Sequence, residues 1–405
     1  MGETGEVNEN PVPSKPAQIA SLTPLRGIAA ILVVLFHLTG LAYMQHLGEA
    51  LPGTSILSRG YLWVDFFFVL SGFIITHVYG DRFTNGLNRR EVKNFLVARF
   101  ARLYPLHFVA LCMTVALYLL IYSKMPPSKA DDGFNMADFY GWKALPFHFL
   151  WLIGFGLTKM SWNVPAWSIS TEWWTYILTL PLFRYLNRGV SKRTFIVPAL
   201  CILALYVLVS RHESNSLDIT FDFGILRCLL SFTLGICLYQ FYKTGVGRSL
   251  LSSDRALLCA LLLTLLILHF PYPAGTPAPP PLLFRVHPLT PYFDVASPLV
   301  FALLALCVAY NHGKGYQFLN IRPLRYLGDI SFSVYLMQGN SFTVFMIAAG
   351  SWRQKHPVGD MGWSDKLLLY SFVVLFDVVL AMATYRWVER PARGWIRRKL
   401  SAEKT

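Results

Sequence analysis

Apolar runs close to twenty residues long recur along nearly the whole chain, and they limit its fold more than any other feature. Twenty residues of α-helix rise about 30 Å, the thickness of a bilayer's hydrocarbon core. In that solvent each backbone amide needs an internal partner, so the runs are expected to be helices. Charged residues are 14% of the chain and mean hydropathy is +0.44, whereas a soluble chain carries about 25% charged residues. The pattern predicts an all-α, polytopic integral membrane protein.

Ten spans are expected, at 27–44, 61–79, 103–122, 169–187, 194–211, 224–242, 255–271, 295–311, 328–349 and 366–388. With the amino terminus in the cytosol, 25 of the 36 Lys and Arg residues fall on the cytosolic side and ten on the opposite loops. Lysine and arginine collect in cytosolic loops, so both termini are expected inside. The apolar stretch 144–157 is short for a span and is expected to be re-entrant or interfacial on the outer side. The polar, proline-dotted residues 1–20 read as a disordered cytosolic tail, 21–392 as the transmembrane domain, and 393–405 as a basic cytosolic tail. The loop 271–281 is too rich in proline for a helix.

The net charge of +14 does not mark a nucleic-acid binder, because the basic residues lie between apolar runs and not on a polar domain. The six cysteines (Cys112, Cys201, Cys228, Cys237, Cys259 and Cys307) sit in apolar runs and form no CxxC pair, so disulfides and thiol-bound metal are not expected. The ten histidines lack metal-ligand spacing, and no phosphate-loop, HExxH or GxSxG motif occurs in a suitable setting.

Four stretches carry candidate chemistry. Arg26 and His37 bracket ten residues without a polar side chain. A helix would put His37 about 16 Å beyond Arg26, near mid-membrane, where it is either a functional group or a histidine satisfied by a neighbouring helix. In the second span Asp65, Ser71 and Gly72 interrupt an aromatic run. Ser71-Gly72 reads first as a close-packing pair, and Asp65 lies near the outer end of its helix. Arg99 and Arg102 share a helix face; they either snorkel to lipid phosphates or grip a phosphorylated ligand through forked hydrogen bonds. The stretch from Trp162 to Trp174 places Trp167, Ser168, Ser170 and Glu172 at an outer boundary. It reads as an aromatic belt or as a surface for sugar rings and hydroxyls, with Glu172 entering the span.

Taken together, these motifs resemble the acyltransferase 3 family of integral-membrane O-acyltransferases, from about Leu22 to Pro391. The matching features are Arg26 with His37, Phe66 to Gly72, Arg99 with Arg102 and Pro105, and Pro165, Trp167, Ser168 and Glu172. "LGDISFSVYLMQ" and the closing Glu389 and Pro391 complete the series. Where many members carry His, this chain has Gln338. The resemblance implies transfer of an acyl group, usually acetyl from acetyl-CoA and without metal, to a hydroxyl of a glycan or other polyhydroxylated acceptor. With that activity, His37 is the expected general base, since histidine is the usual group that activates a hydroxyl. Arg26, Glu172 and Asp65 are the further catalytic candidates, Arg99, Arg102 and Arg26 the expected donor-binding residues, and Trp167, Ser168 and Gln338 the expected substrate contacts. Exopolysaccharide, lipopolysaccharide, peptidoglycan, a lipo-oligosaccharide or a macrolide-like metabolite are the acceptor classes considered. Expected partners are membrane lipids, the acceptor, and a separate soluble transferase or polysaccharide-assembly proteins, with the cell (inner) membrane as location. The rival readings are a transporter or flippase of a glycan precursor, which needs no acyl donor, and a non-catalytic scaffold.

Overall fold

A computed structural model describes residues 19–44, 55–84, 86–120, 139–270, 288–356 and 361–400. The expected tail 1–20 up to residue 18, and the proline-rich loop 271–281, lie outside those residues. Among the described residues the chain is helical and forms no strand. The main helices are α1 (Leu22–Met44), α2 (Trp63–Thr84), α3 (Arg89–Leu120), α4 (Ala166–Leu178), α5 (Leu180–Leu186), α6 (Lys192–Arg211) and α7 (Gly224–Thr244). They continue as α8 (Asp254–His269), α9 (Thr290–Tyr310), α10 (Arg322–Asp329), α11 (Ser331–Lys355), α12 (Trp363–Thr384) and α13 (Arg390–Leu400).

Seven described helices are long and apolar enough to cross a membrane, and eight if the bent pair α10–α11 counts as one span. The ten expected spans differ from this set in identifiable ways. The span expected at 169–187 is divided into α4 and α5, with Pro181 in the first turn of α5, where its missing N–H is tolerated. The span expected at 255–271 is a helix of 16 residues. Residues 393–400, expected as tail, continue from α12 through a π-helical turn at Tyr385–Glu389 into α13, which packs on α3.

Several helices turn apolar stripes outward. Ile196, Leu200, Leu203 and Val207 on α6 are exposed at helical spacing, as are Leu368, Phe372, Leu375 and Val379 on α12. Stripes of this size suit lipid, not water. Inside, α2 and α7 cross through Gly72 and Gly235: a Cβ at either would collide with the facing backbone carbonyl, Phe232 O or Val69 O. Backbones approach this closely where small residues meet. Gly72 thus meets the packing expectation, and Ser71 beside it turns elsewhere. A second close approach joins α1 to α10, where a Cβ on Gly27 would come 2.7 Å from Gly328 N. That contact fixes the start of α1, and with it Arg26.

The stretch 144–157 forms no spanning helix. A five-residue helix, Leu145–Phe149, is followed by irregular chain with Trp151 at φ 55° and Gly154 and Gly156 at φ 89° and 74°. Its rings lie along α3, Phe149 against Phe108 (6.0 Å between centroids) and Trp151 against Tyr104 (5.1 Å) and Phe100 (6.0 Å). From Phe108 to Phe100 the helix rises about 12 Å. The stretch thus packs along α3 without forming a span of its own.

Candidate functional site

A partly open cleft lies among α1, α2, α3, α4 and α11. Its polar lining is Arg26 from α1, Ser71 from α2, Arg99 and Arg102 from α3, Ser168, Glu172 and Tyr176 from α4, and Ser331 and Tyr335 from α11. The bend of 66° between α10 and α11 brings Ser331 to the wall. Apolar faces of α2, including Phe67, Phe68 and Ile74, close the remainder.

The cations and anions in this cleft are held very differently. Glu172 Oε1 accepts hydrogen bonds from Ser71 Oγ (2.6 Å) and Tyr176 OH (2.5 Å). Arg99 rests over the Tyr79 ring at 5.5 Å, and its Nε is buried with no hydrogen-bond partner among the described residues. Arg26 and Arg102 make no hydrogen bond or ion pair with any described residue. Glu389, in the π-helical turn, accepts from Ser333 Oγ at 2.9 Å and lies within electrostatic reach of Arg102, Arg393 and Arg26. Arg393 on α13 is in turn close enough to interact with Arg102 and Arg99. Guanidinium groups desolvated without partners cost free energy. The forked donors of these arginines match an anion with several acceptor oxygens in geometry.

His37 lies on α1 about 16 Å beyond Arg26 and does not line the cleft. Its Nδ1 is 2.9 Å from Val33 O and 3.1 Å from Gln338 Oε1. Gln338 Nε2 donates to Tyr335 O at 2.6 Å, which fixes the amide with its oxygen toward the histidine. Both partners of Nδ1 are therefore acceptors, so Nδ1 carries the ring proton. Nε2 keeps its lone pair and makes no hydrogen bond with a described residue. That tautomer is the one a general base requires.

Gln338, Asp65 and Trp167 also lie outside the cleft wall. Asp65 is fully buried and bonded to Arg227, with Nη2–Oδ2 at 2.6 Å and Nε within 3.2 Å of both oxygens, and Ser231 Oγ donates at 3.0 Å. Arg227 also donates to the carbonyls of Tyr61 and Ile219. Trp167 is 4% exposed and wedged against Gly224, with the Arg227 guanidinium 5.5 Å from its ring centroid. Asp65 and Trp167 hold α2, α4 and α7 together. Removing either partner of a buried pair costs about 3–5 kcal/mol, because the other charge is stranded. Asp65→Leu and Arg227→Leu should each lower the thermal unfolding temperature in detergent, and the double replacement should recover most of the loss. A catalytic Asp65 would instead leave stability intact and abolish turnover.

Tyr79, Tyr176 and Arg393 join the site without having been singled out by the sequence, whereas Ser331 and Tyr335 belong to the matching stretch 327–338. Tyr176 sits four residues after Glu172, so helical spacing from a motif residue was the available signal.

A helical bundle with outward apolar stripes and an arginine-lined cleft fits a multi-pass membrane protein. The chain belongs to the acyltransferase 3 family: the model of the family's acyltransferase domain matches residues 19–386. It is 32% identical over 202 residues to "Protein 2 in picA locus" of Rhizobium radiobacter, covering 48% of this chain and 96% of that one. It is 29% identical to the acyltransferase MdmB of Streptomyces mycarofaciens, over 62% of this chain and 64% of that one. It is 25% identical to the putative peptidoglycan O-acetyltransferase YrhL of Bacillus subtilis, over 93% of this chain and 55% of the relative. The chain thus spans little more than half of YrhL and less than two thirds of MdmB. No solved structure matches it.

Proposed function

We propose that the protein moves an acyl group, acetyl in the first instance, from acyl-CoA to a hydroxyl of a glycan or other polyhydroxylated acceptor. The observation that carries this reading is the cleft in which Arg26 and Arg102 make no hydrogen bond or ion pair with a described residue, one helical run away from a histidine whose Nε2 makes no hydrogen bond with a described residue. Arg99, Arg102 and Arg26 take the anionic phosphates of the donor. His37 acts at the far end of that run. The acceptor hydroxyl gives its proton to His37 Nε2 while its oxygen attacks the thioester carbonyl carbon. The C–S bond then breaks, and the thiolate leaves with the proton returned from the imidazolium. Glu172, tied by Ser71 and Tyr176, keeps α4 registered on α2 beside the arginines. Ser168, hydrogen-bonded with Tyr335 OH at 2.8 Å, lines the same cleft as a substrate contact. No metal enters this scheme.

The lysine and arginine asymmetry supports a cytosolic cleft mouth, both termini inside and the cell (inner) membrane as location. The name of YrhL makes a cell-envelope glycan the first acceptor to examine. Ester-bound acetate should be measured on the glycans and small metabolites of cells with and without the gene. Loss of acetate from one class identifies the acceptor, whereas identical acetate profiles would overturn the assignment.

A further inference from the structure

We infer that Gln338 is a positioning residue that locks His37 in its reactive tautomer, and that it is not a substrate contact; this rests on His37 being the general base. Gln338 is fully buried and absent from the cleft wall. Both ends of its amide are engaged, Nε2 with Tyr335 O at 2.6 Å and Oε1 with His37 Nδ1 at 3.1 Å. Turning the amide over would set its oxygen against the Tyr335 carbonyl, so the oxygen faces the histidine and accepts from Nδ1–H. An amide oxygen is a weaker partner than a carboxylate, and it fixes the tautomer without adding a charge at membrane depth. The Phe342 ring, 5.5 Å from the imidazole and four residues along α11, closes the same face.

Other titratable and charged groups lie on the elements packed around α1, and Asp377 among them has one buried oxygen, Oδ2, without a hydrogen-bond partner among the described residues. On α12, Asp377 is held by Ser341 Oγ at 2.7 Å and Tyr370 OH reaches Leu38 O, while Asp365 and Lys366 lie in its first turn. Tyr61 donates to Asp294, which also takes Arg59, and Asp65 is paired with Arg227. On α10, Arg322, Arg325 and Asp329 flank the Arg26 end of α1, and Tyr335 on α11 is hydrogen-bonded with Ser168. Gln338 is the side chain that meets Nδ1 directly.

The test compares Gln338→Leu and Gln338→Glu with wild-type and His37→Gln full-length protein in native membranes, using radiolabelled acetyl-CoA. Transfer into membrane material and acetyl-CoA binding are both followed against pH. Gln338→Leu should lose roughly 10- to 100-fold in turnover, the scale for residues that orient a histidine through its far nitrogen, with acetyl-CoA binding unchanged. Gln338→Glu should recover turnover relative to Leu and move the acid limb of the profile upward by about one unit or more, because a carboxylate favours the imidazolium. An active Gln338→Leu, a Glu variant with no recovery or an unshifted limb, or joint loss of binding and turnover would each overturn the positioning role. An active His37→Gln would instead overturn the base itself.

Discussion

His37→Gln is expected to lower turnover by about 100- to 10,000-fold, the range of a general base, while acetyl-CoA affinity stays at the wild-type value. Glutamine keeps the volume and a donor amide that can still reach Val33 O or Gln338 Oε1, both of which His37 engages through Nδ1. What it lacks is the Nε2 lone pair. A histidine kept only to satisfy its neighbours predicts the reverse: Gln largely active, and Ala costing about 1–3 kcal/mol of stability through stranded groups. The same base predicts a fall in turnover at acid pH. The lone pair is present above the imidazole pKa, about 6.5 in water, and lost below it. Turnover against pH, with binding measured alongside, separates the two accounts.

Arg102→Ala should weaken acetyl-CoA binding by about 1.5–3 kcal/mol, the worth of a charge-assisted hydrogen bond, or roughly 10- to 150-fold in Kd. Arg102 makes no hydrogen bond or ion pair with a described residue, so its loss breaks no direct contact. The buried Glu389 loses a nearby positive charge but keeps Ser333 and Arg393, and the cost in stability should be smaller than the loss in binding. Arg102→Lys should fall between, since an ammonium keeps the charge but not the fork. Arg99→Ala should show a similar loss in binding with some added cost to packing, because its guanidinium covers the Tyr79 ring. Normal acetyl-CoA binding by Arg102→Ala, coupled with poor membrane insertion, would make the pair topological anchors instead.

The parts of the site legible in the sequence are those whose chemistry is local. Arg99 and Arg102 share a face by spacing alone, and Glu172 stands out as a carboxylate entering an apolar run. The environment of Asp65 is not legible in the sequence, because its partner, Arg227, is 162 positions away and itself lies in an apolar run. Trp167 misleads for the same reason: an interfacial belt and a core wedge look alike until Gly224 and Arg227 are brought beside it. Gln338 and His37 are 301 positions apart, and no pattern in either segment shows that the amide faces the imidazole. For the fold, Pro181 marks the break between α4 and α5. The bend after Asp329 has no proline to signal it, and Pro391 reads as a stop although it falls in the first turn of α13, where proline is tolerated.

The central claim is that one membrane protein binds acyl-CoA and passes its acyl group to a hydroxyl. Purified full-length protein in lipid nanodiscs, given radiolabelled acetyl-CoA and soluble peptidoglycan fragments or cell-derived glycans, tests it most directly. The account predicts label on the glycan as an alkali-labile ester, one free CoA thiol released per ester formed, and neither product from His37→Gln. Bound acetyl-CoA with no ester on any acceptor class, or vesicles that carry glycan precursor across the bilayer without consuming acetyl-CoA, would contradict it.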